Sequence, residues 1–151
     1  MQIIHTDAAD PDFRILSGEL ERHFDDLAGG RDKRSRYAPL NALANIKDAF
    51  IAYENGRPVG CVSFKEYGPG LAEVKRMFVK PEYRGRKIAR ELMKALEAEA
   101  ARQSYSGLIL ETGRAFTAAV ELYKNLSFEV IENYGPYADM PASVCFRKMM
   151  R

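Results

Sequence analysis

The chain has 151 residues, 46% of them hydrophobic, and 23 Lys and Arg against 21 Asp and Glu give a net charge of +2. That length suits one domain over 1–151 with a sizeable core, and the near-balance of charge argues against wholesale binding to nucleic acid or a membrane surface. The acid-containing start MQIIHTDAADPDF does not read as a signal peptide, no run of roughly 18 apolar residues is present to cross a bilayer, and a cytoplasmic protein is the expectation.

Residues 2–6 read as a short strand, and Asp10-Pro11 is a helix-start signal. Phe13, Leu16, Leu20, Phe24 and Leu27 then recur at helical spacing as far as Gly29-Gly30. The run RDKRSR at 31–36 reads as a charged linker. Residues 48–54 (DAFIAYE) alternate as a strand, Asn55-Gly56 is a hairpin turn, and residues 58–67 form the return strand. Gly68-Pro69-Gly70 turns the chain again, into a third strand at 71–80. Ile88, Leu92, Leu96 and Ala100, with Ala89 and Met93 beside them, mark the apolar stripe of a helix. The apolar run 107–112 suits a buried strand, residues 115–126 a further amphipathic helix, and 128–131 and 143–149 closing strands. This order implies an α/β fold of the α+β kind: an antiparallel meander followed by βαβ, a mixed sheet with helices on both faces. Residues 71–112 would make its right-handed parallel crossover.

Cys61 and Cys145 each sit in a strand-like apolar run and read as buried free thiols in a reducing compartment. His5 and His23 lie far apart, and neither a C-x-x-C nor a His-x-His spacing occurs, so no metal is expected.

Arg84-Gly85-Arg86-Lys87-Ile88-Ala89 stands where the third meander strand gives way to a helix. Glycine lets the backbone curl close to a ligand, and first-turn N–H groups of a helix have no intrahelical partner. With Arg84, Arg86 and Lys87 alongside, the segment suits a diphosphate. It is neither a Walker loop nor Gly-x-Gly-x-x-Gly, which excludes the usual NTPase and dinucleotide folds. On these residues alone, a basic helix start facing only solvent is an equal reading.

Taken with the element order, the segment resembles the signature of the GCN5-related N-acetyltransferase (GNAT) superfamily, Arg/Gln-x-x-Gly-x-Gly/Ala after a proline-containing turn. Arg84 takes the first position and Ala89 the last, while Lys87 stands where the central glycine would; a lysine keeps its backbone N–H and is compatible there with helical φ/ψ. The resemblance spans residues 49–148 and implies an acetyl-CoA-dependent N-acetyltransferase acting on a primary amine of a small molecule or peptide by direct attack. It implies that acetyl-CoA enters a V-shaped opening between the strand ending near Val79 and the strand at 108–112. The pantetheine arm would pair with the backbone of Met77, Phe78 and Val79, and the pyrophosphate would rest on the N–H groups of Gly85, Arg86, Lys87, Ile88 and Ala89. An unpaired strand N–H would polarise the thioester carbonyl. Homodimers are frequent among such proteins and stay within the expectation.

Transfer of this kind takes a proton from the acceptor ammonium and returns one to the leaving thiolate. Tyr123, in Tyr-Lys-Asn-Leu-Ser-Phe, matches the family's general-acid tyrosine. Ser127 replaces the glycine usual after that helix, at a backbone cost of about 1 kcal/mol. Without the resemblance, Tyr123 reads as a core aromatic. Glu73 lies at the place of the general-base glutamate of the histone-acetylating branch; the alternative is an exposed strand glutamate balancing Lys75 or Arg76, with deprotonation through water. The loop NYGPYAD at 133–139 is similar to the acceptor-lining segment of bacterial small-molecule acetyltransferases, which gives Tyr134, Tyr137 and Asp139 to the substrate; an ordinary solvent-facing loop is the equal alternative. Glu111-Thr112-Gly113-Arg114 ends the buried strand and offers Arg114 to acceptor or cofactor. The rival reading is a CoA-binding sensor or partner-binding module of the same fold without turnover, for which the Lys87 and Ser127 departures speak.

Overall fold

Asp10 starts the first helix by accepting hydrogen bonds from the amides of Asp12 (2.9 Å) and Phe13 (3.4 Å). Pro11 follows at the first helical position, where its missing N–H costs nothing. The computed structural model describes residues 1–28, 43 and 46–150; the expected Gly29-Gly30 helix stop and the 31–36 linker lie outside the described residues. Its elements are β1 (Gln2–Thr6), α1 (Pro11–Ala28), β2 (Asp48–Glu54), β3 (Arg57–Glu66), β4 (Leu71–Val79), α2 (Ile88–Arg102), β5 (Gly107–Gly113), α3 (Thr117–Asn125), β6 (Glu129–Ile131) and β7 (Ser143–Met149). Single 3₁₀ turns occur at Pro81–Tyr83 and Gly135–Tyr137. The strands belong to a seven-stranded mixed sheet. Among the described residues no helix is long and apolar enough to cross a membrane.

The chain divides into two compact units, Met1–Lys65 with Lys75–Ala98, and Glu66–Val74 with Glu99–Arg151. In the first, β1 and β2 are antiparallel, as are β2 and β3. Asn55 (φ +49°) and Gly56 (φ +76°) close the β2–β3 hairpin with the left-handed pair that a two-residue turn requires. Phe13, Leu16 and Leu20 from α1 join Ala49, Ile51, Cys61 and Phe78 in one buried cluster. Behind β3, α2 comes so close that a Cβ on Gly60 would lie 3.3 Å from Leu92 Cδ1. Helices on both sides explain why Phe50, Ile51, Ala52, Cys61 and Val62 are all buried, rather than alternate residues only.

In the second unit β5 pairs antiparallel with β7, and β7 with β6. The start of β4 runs parallel to β5, with Leu71 opposite Gly107, Ala72 opposite Leu108 and Glu73 opposite Ile109. The parallel crossover expected from the sequence is thus present. Some boundaries differ by one or two residues. The third meander strand stops at Val79 because Pro81 opens a 3₁₀ turn. The third helix begins at Thr117, since a turn from Gly113 to Phe116 (N···O 3.0 Å) comes first.

Candidate functional site

The cradle begins in the first unit, where β4 runs into α2. Phe78 points into the α1 cluster, while Met77 and Val79 are half-buried. Arg84 is exposed, and its Nε donates to the Val79 carbonyl at 3.1 Å, tying the loop to the end of the strand. Arg86 lies over the Tyr83 ring, 5.1 Å from its centre. His23 of α1 packs against Phe78 with ring centres 6.3 Å apart; burial, then the Arg84 charge, lowers its pKa.

The loop backbone departs from the sequence expectation at one residue. Lys87 has φ +64°, in the left-handed region, and not the helical φ/ψ with which a lysine is compatible. The helix starts one residue later, at Ile88, and Glu91 N–H is the first to close on the Lys87 carbonyl, at 3.1 Å. Lys87 therefore holds the conformation a glycine takes at no steric cost, although its Cβ makes that conformation unfavourable by about 1–2 kcal/mol. Gly85, at φ +80°, is left-handed as well. Left-handed residues interleaved with ordinary ones turn successive N–H groups toward a common point, a concavity suited to anions. The N–H groups of Ile88, Ala89 and Arg90 precede the first intrahelical bond and extend that set. A Cβ on Gly85 would meet nothing within 4 Å, and Arg84, Arg86 and Lys87 are exposed beside it. Open space, unpaired amides and positive charge fit the diphosphate of acetyl-CoA.

The second unit carries the groups able to move protons. Tyr123 is 6% exposed and ends α3 in a Schellman arrangement. Phe128 N–H donates to its carbonyl (3.0 Å), Ser127 N–H to that of Lys124 (3.1 Å), and Ser127 takes the left-handed position at φ +71°. The Tyr123 ring packs edge-on to Phe128 (5.6 Å) and tilted to Phe146 (5.9 Å). Burial, and then the negative charge of Glu111, push its pKa upward, so the phenol keeps its proton. Glu111 in turn accepts from Ser143 Oγ at 2.7 Å.

Glu73 is 5% exposed and not the surface glutamate that the alternative reading describes. Its Oε2 accepts a hydrogen bond from the Tyr134 hydroxyl at 2.6 Å. Tyr134 stands edge-on to Tyr67 (4.9 Å) and to Tyr137 (5.5 Å). Tyr137 is itself 2% exposed, so the 133–139 loop is anchored in the interior and is not a plain solvent-facing loop. Asn133 Nδ2 staples that loop by donating to the carbonyls of Tyr137 (3.2 Å), Met140 (3.0 Å) and Ser143 (3.2 Å). Arg114 is exposed, and its guanidinium donates to the carbonyls of Pro141 (3.4 Å) and Ser143 (3.1 Å), which makes it a tie to the start of β7.

Glu73, Tyr134 and Tyr137 thus share one cluster; Arg114 meets the same loop at the Ser143 carbonyl, which it shares with Asn133, and Tyr123 packs with Phe128 and Phe146. Sequence reasoning passed over Tyr67 and Asn133. Tyr67 adjoins Gly68-Pro69 and Asn133 opens the loop that holds Gly135-Pro136, but no local pattern announces which distant side chain such a residue will meet. Arg76, named from the sequence only as a charge that Glu73 could balance, is left-handed at φ +61° within β4, and its guanidinium is buried against Glu21 Oε1 (2.6 Å) and the Ser17 carbonyl (2.6 Å). That pairing holds α1 against the strand that leads to Met77, Phe78 and Val79.

Known proteins share both the sequence pattern and the fold. The family model described as Acetyltransferase (GNAT) family matches residues 13–128. A protein of Azospirillum brasilense described as an IAA acetyltransferase is 35% identical over 136 residues, covering 88% of this chain and 87% of its own. A Klebsiella pneumoniae structure assigned as an acyl-CoA N-acyltransferase is 28% identical, with a TM-score of 0.76 over 98% of this chain and 97% of the other. The PaiA N-acetyltransferase of Thermoplasma acidophilum, solved in complex with coenzyme A, is 17% identical and shares the fold, with a TM-score of 0.74 over 99% of this chain and all 100% of its own. On the family match across most of its length, the chain belongs to the GNAT acetyltransferase family.

Proposed function

We propose that this enzyme transfers the acetyl group of acetyl-CoA to a primary amine of a small molecule or peptide, by direct attack and without a covalent enzyme intermediate. The observation that carries the reading is the start of α2, where a left-handed Lys87 and the amides of Ile88, Ala89 and Arg90 make a basic, open anion cradle. Gly85, Arg86 and Ala89 would hold the pyrophosphate, with Arg84 and Lys87 adding charge. The backbone of Met77, Phe78 and Val79 would align the pantetheine arm.

An alkylammonium has a pKa of about 10 and is not nucleophilic until it loses a proton. Glu73, buried at the end of the Tyr134 hydroxyl's hydrogen bond, takes that proton in this reading, directly or through water. Tyr123 faces the opposite demand. A phenol raised above its usual range surrenders its proton reluctantly to a thiolate of pKa about 8–9. Its part is therefore to donate a hydrogen bond to sulfur as negative charge develops there. The positions that depart from the family pattern, Lys87 and Ser127, keep the backbone shape a glycine would give. The two departures therefore do not by themselves speak for a binding-only module.

Thiol release from acetyl-CoA in the presence of a panel of alkylamines, polyamines and short peptides tests the reading. An acetylated amine should appear in stoichiometric amount, and Tyr123→Phe should lower kcat about 10- to 100-fold with little change in acetyl-CoA affinity. Acetyl-CoA binding with no acceptor turned over would favour the binding-only module.

A further inference from the structure

We propose that Tyr134 is a positioning residue for Glu73, fixing the carboxylate that receives the acceptor's proton; this rests on the role given to Glu73 above. The hydroxyl of Tyr134 donates to Glu73 Oε2 at 2.6 Å, the short range of a hydrogen bond to a charged acceptor. Burial first, and then the charge and hydrogen bond of Glu73, raise the Tyr134 pKa, so the phenol is a donor throughout the working pH range. Glu73 is fixed at its backbone too, opposite Ile109 in the parallel ladder.

Tyr134 is held in turn. Tyr67 and Tyr137 flank its ring, and the next residue, Gly135, is left-handed at φ +48°. A Cβ at Gly135 would lie 3.0 Å from the Tyr67 hydroxyl, so the glycine admits the tyrosine that packs against Tyr134. Asn133 then anchors the loop to Met140 and to the start of β7. The sequence Asn-Tyr-Gly-Pro-Tyr thus reads as one device: the asparagine staples, the glycine makes room, the second tyrosine supports, and the first tyrosine aims the carboxylate. Reaction geometry demands such support, because misplacing a catalytic group by about 1 Å costs on the order of a hundredfold in rate.

The test is a double-mutant cycle on kcat and KM, using acetyl-CoA and the fastest amine of the panel. Glu73→Gln should lower kcat about 100-fold, and Tyr134→Phe about 10-fold with the KM for acetyl-CoA unchanged. In the double variant the loss should equal that of Glu73→Gln alone, because Tyr134 acts only through the carboxylate. Asn133→Ala, which touches neither group, should lower kcat in the same direction and add nothing in the Glu73→Gln background. Melting curves and acetyl-CoA titrations of each variant separate a folding defect from a kinetic one. If Tyr134→Phe runs at the wild-type rate, or its loss multiplies with that of Glu73→Gln, the positioning role is overturned. If Glu73→Gln itself runs at the wild-type rate, the base assignment fails first, and the positioning role with it.

Discussion

Ser127 and Lys87 carry side chains where the chain needs left-handed backbone. Ser127 completes the bond pattern that ends α3 and so sets Tyr123, whose carbonyl and ring both meet Phe128. Replacing it by glycine removes a steric cost of about 1–2 kcal/mol and adds back roughly 0.5–1 kcal/mol of unfolded-chain entropy. Ser127→Gly should therefore raise the melting temperature by about 1–4 °C with acetyl-CoA affinity unchanged, as read by thermal denaturation. A lower melting temperature would mean that the serine makes compensating contacts. The position of this strain could be read from the motif, since the residue stands where a helix-ending glycine is usual. The Lys87 conformation could not, because a lysine is as compatible with the first turn of a helix as with the residue before it. Only the closure of Glu91 on Lys87 decides between the two. The Glu73–Tyr134 bond was beyond reach for another reason. It joins residues 61 apart, and period-2 patterning describes faces, not distant partners.

At the level of elements, the turns were the most legible features. Asn55-Gly56 and the Gly68/Gly70 pair demand positive φ, and that demand fixes where strands end. Which faces are buried was less legible, because β2 and β3 are covered on both sides and their composition does not say so. The double coverage has a chemical consequence at Cys61. Its thiol is fully buried in the α1 cluster and donates to the Arg76 carbonyl at 3.3 Å. Burial pushes its pKa from 9.0 up to about 12, with the Arg76 charge opposing. The folded state thus binds the proton more tightly than the unfolded state. The associated stability is fully present below about pH 9 and is lost as the pH rises toward 12. Urea midpoints should fall between pH 8 and pH 10.5, and fall less in Cys61→Ala. Iodoacetamide at pH 8 should leave native Cys61 unmodified. Rapid native alkylation would show that the α1–sheet contact opens readily.

At the scale of the molecule, β4 and α2 each contribute residues to both compact units, and the family match at 13–128 covers parts of both. The basic cradle lies in one unit, and Glu73, Tyr134 and Tyr123 lie in the other. The proposed function rests on the cradle, so binding of acetyl-CoA there is the claim to test. Isothermal titration of acetyl-CoA into the wild type and into an Arg84→Ala/Arg86→Ala variant does so directly. Saturable one-to-one binding is predicted in the wild type, weakened about 10-fold or more in the variant, since hydrogen bonds to charged groups contribute about 1.5–3 kcal/mol. No heat of binding in the wild type, or equal affinity in the variant, would contradict the account.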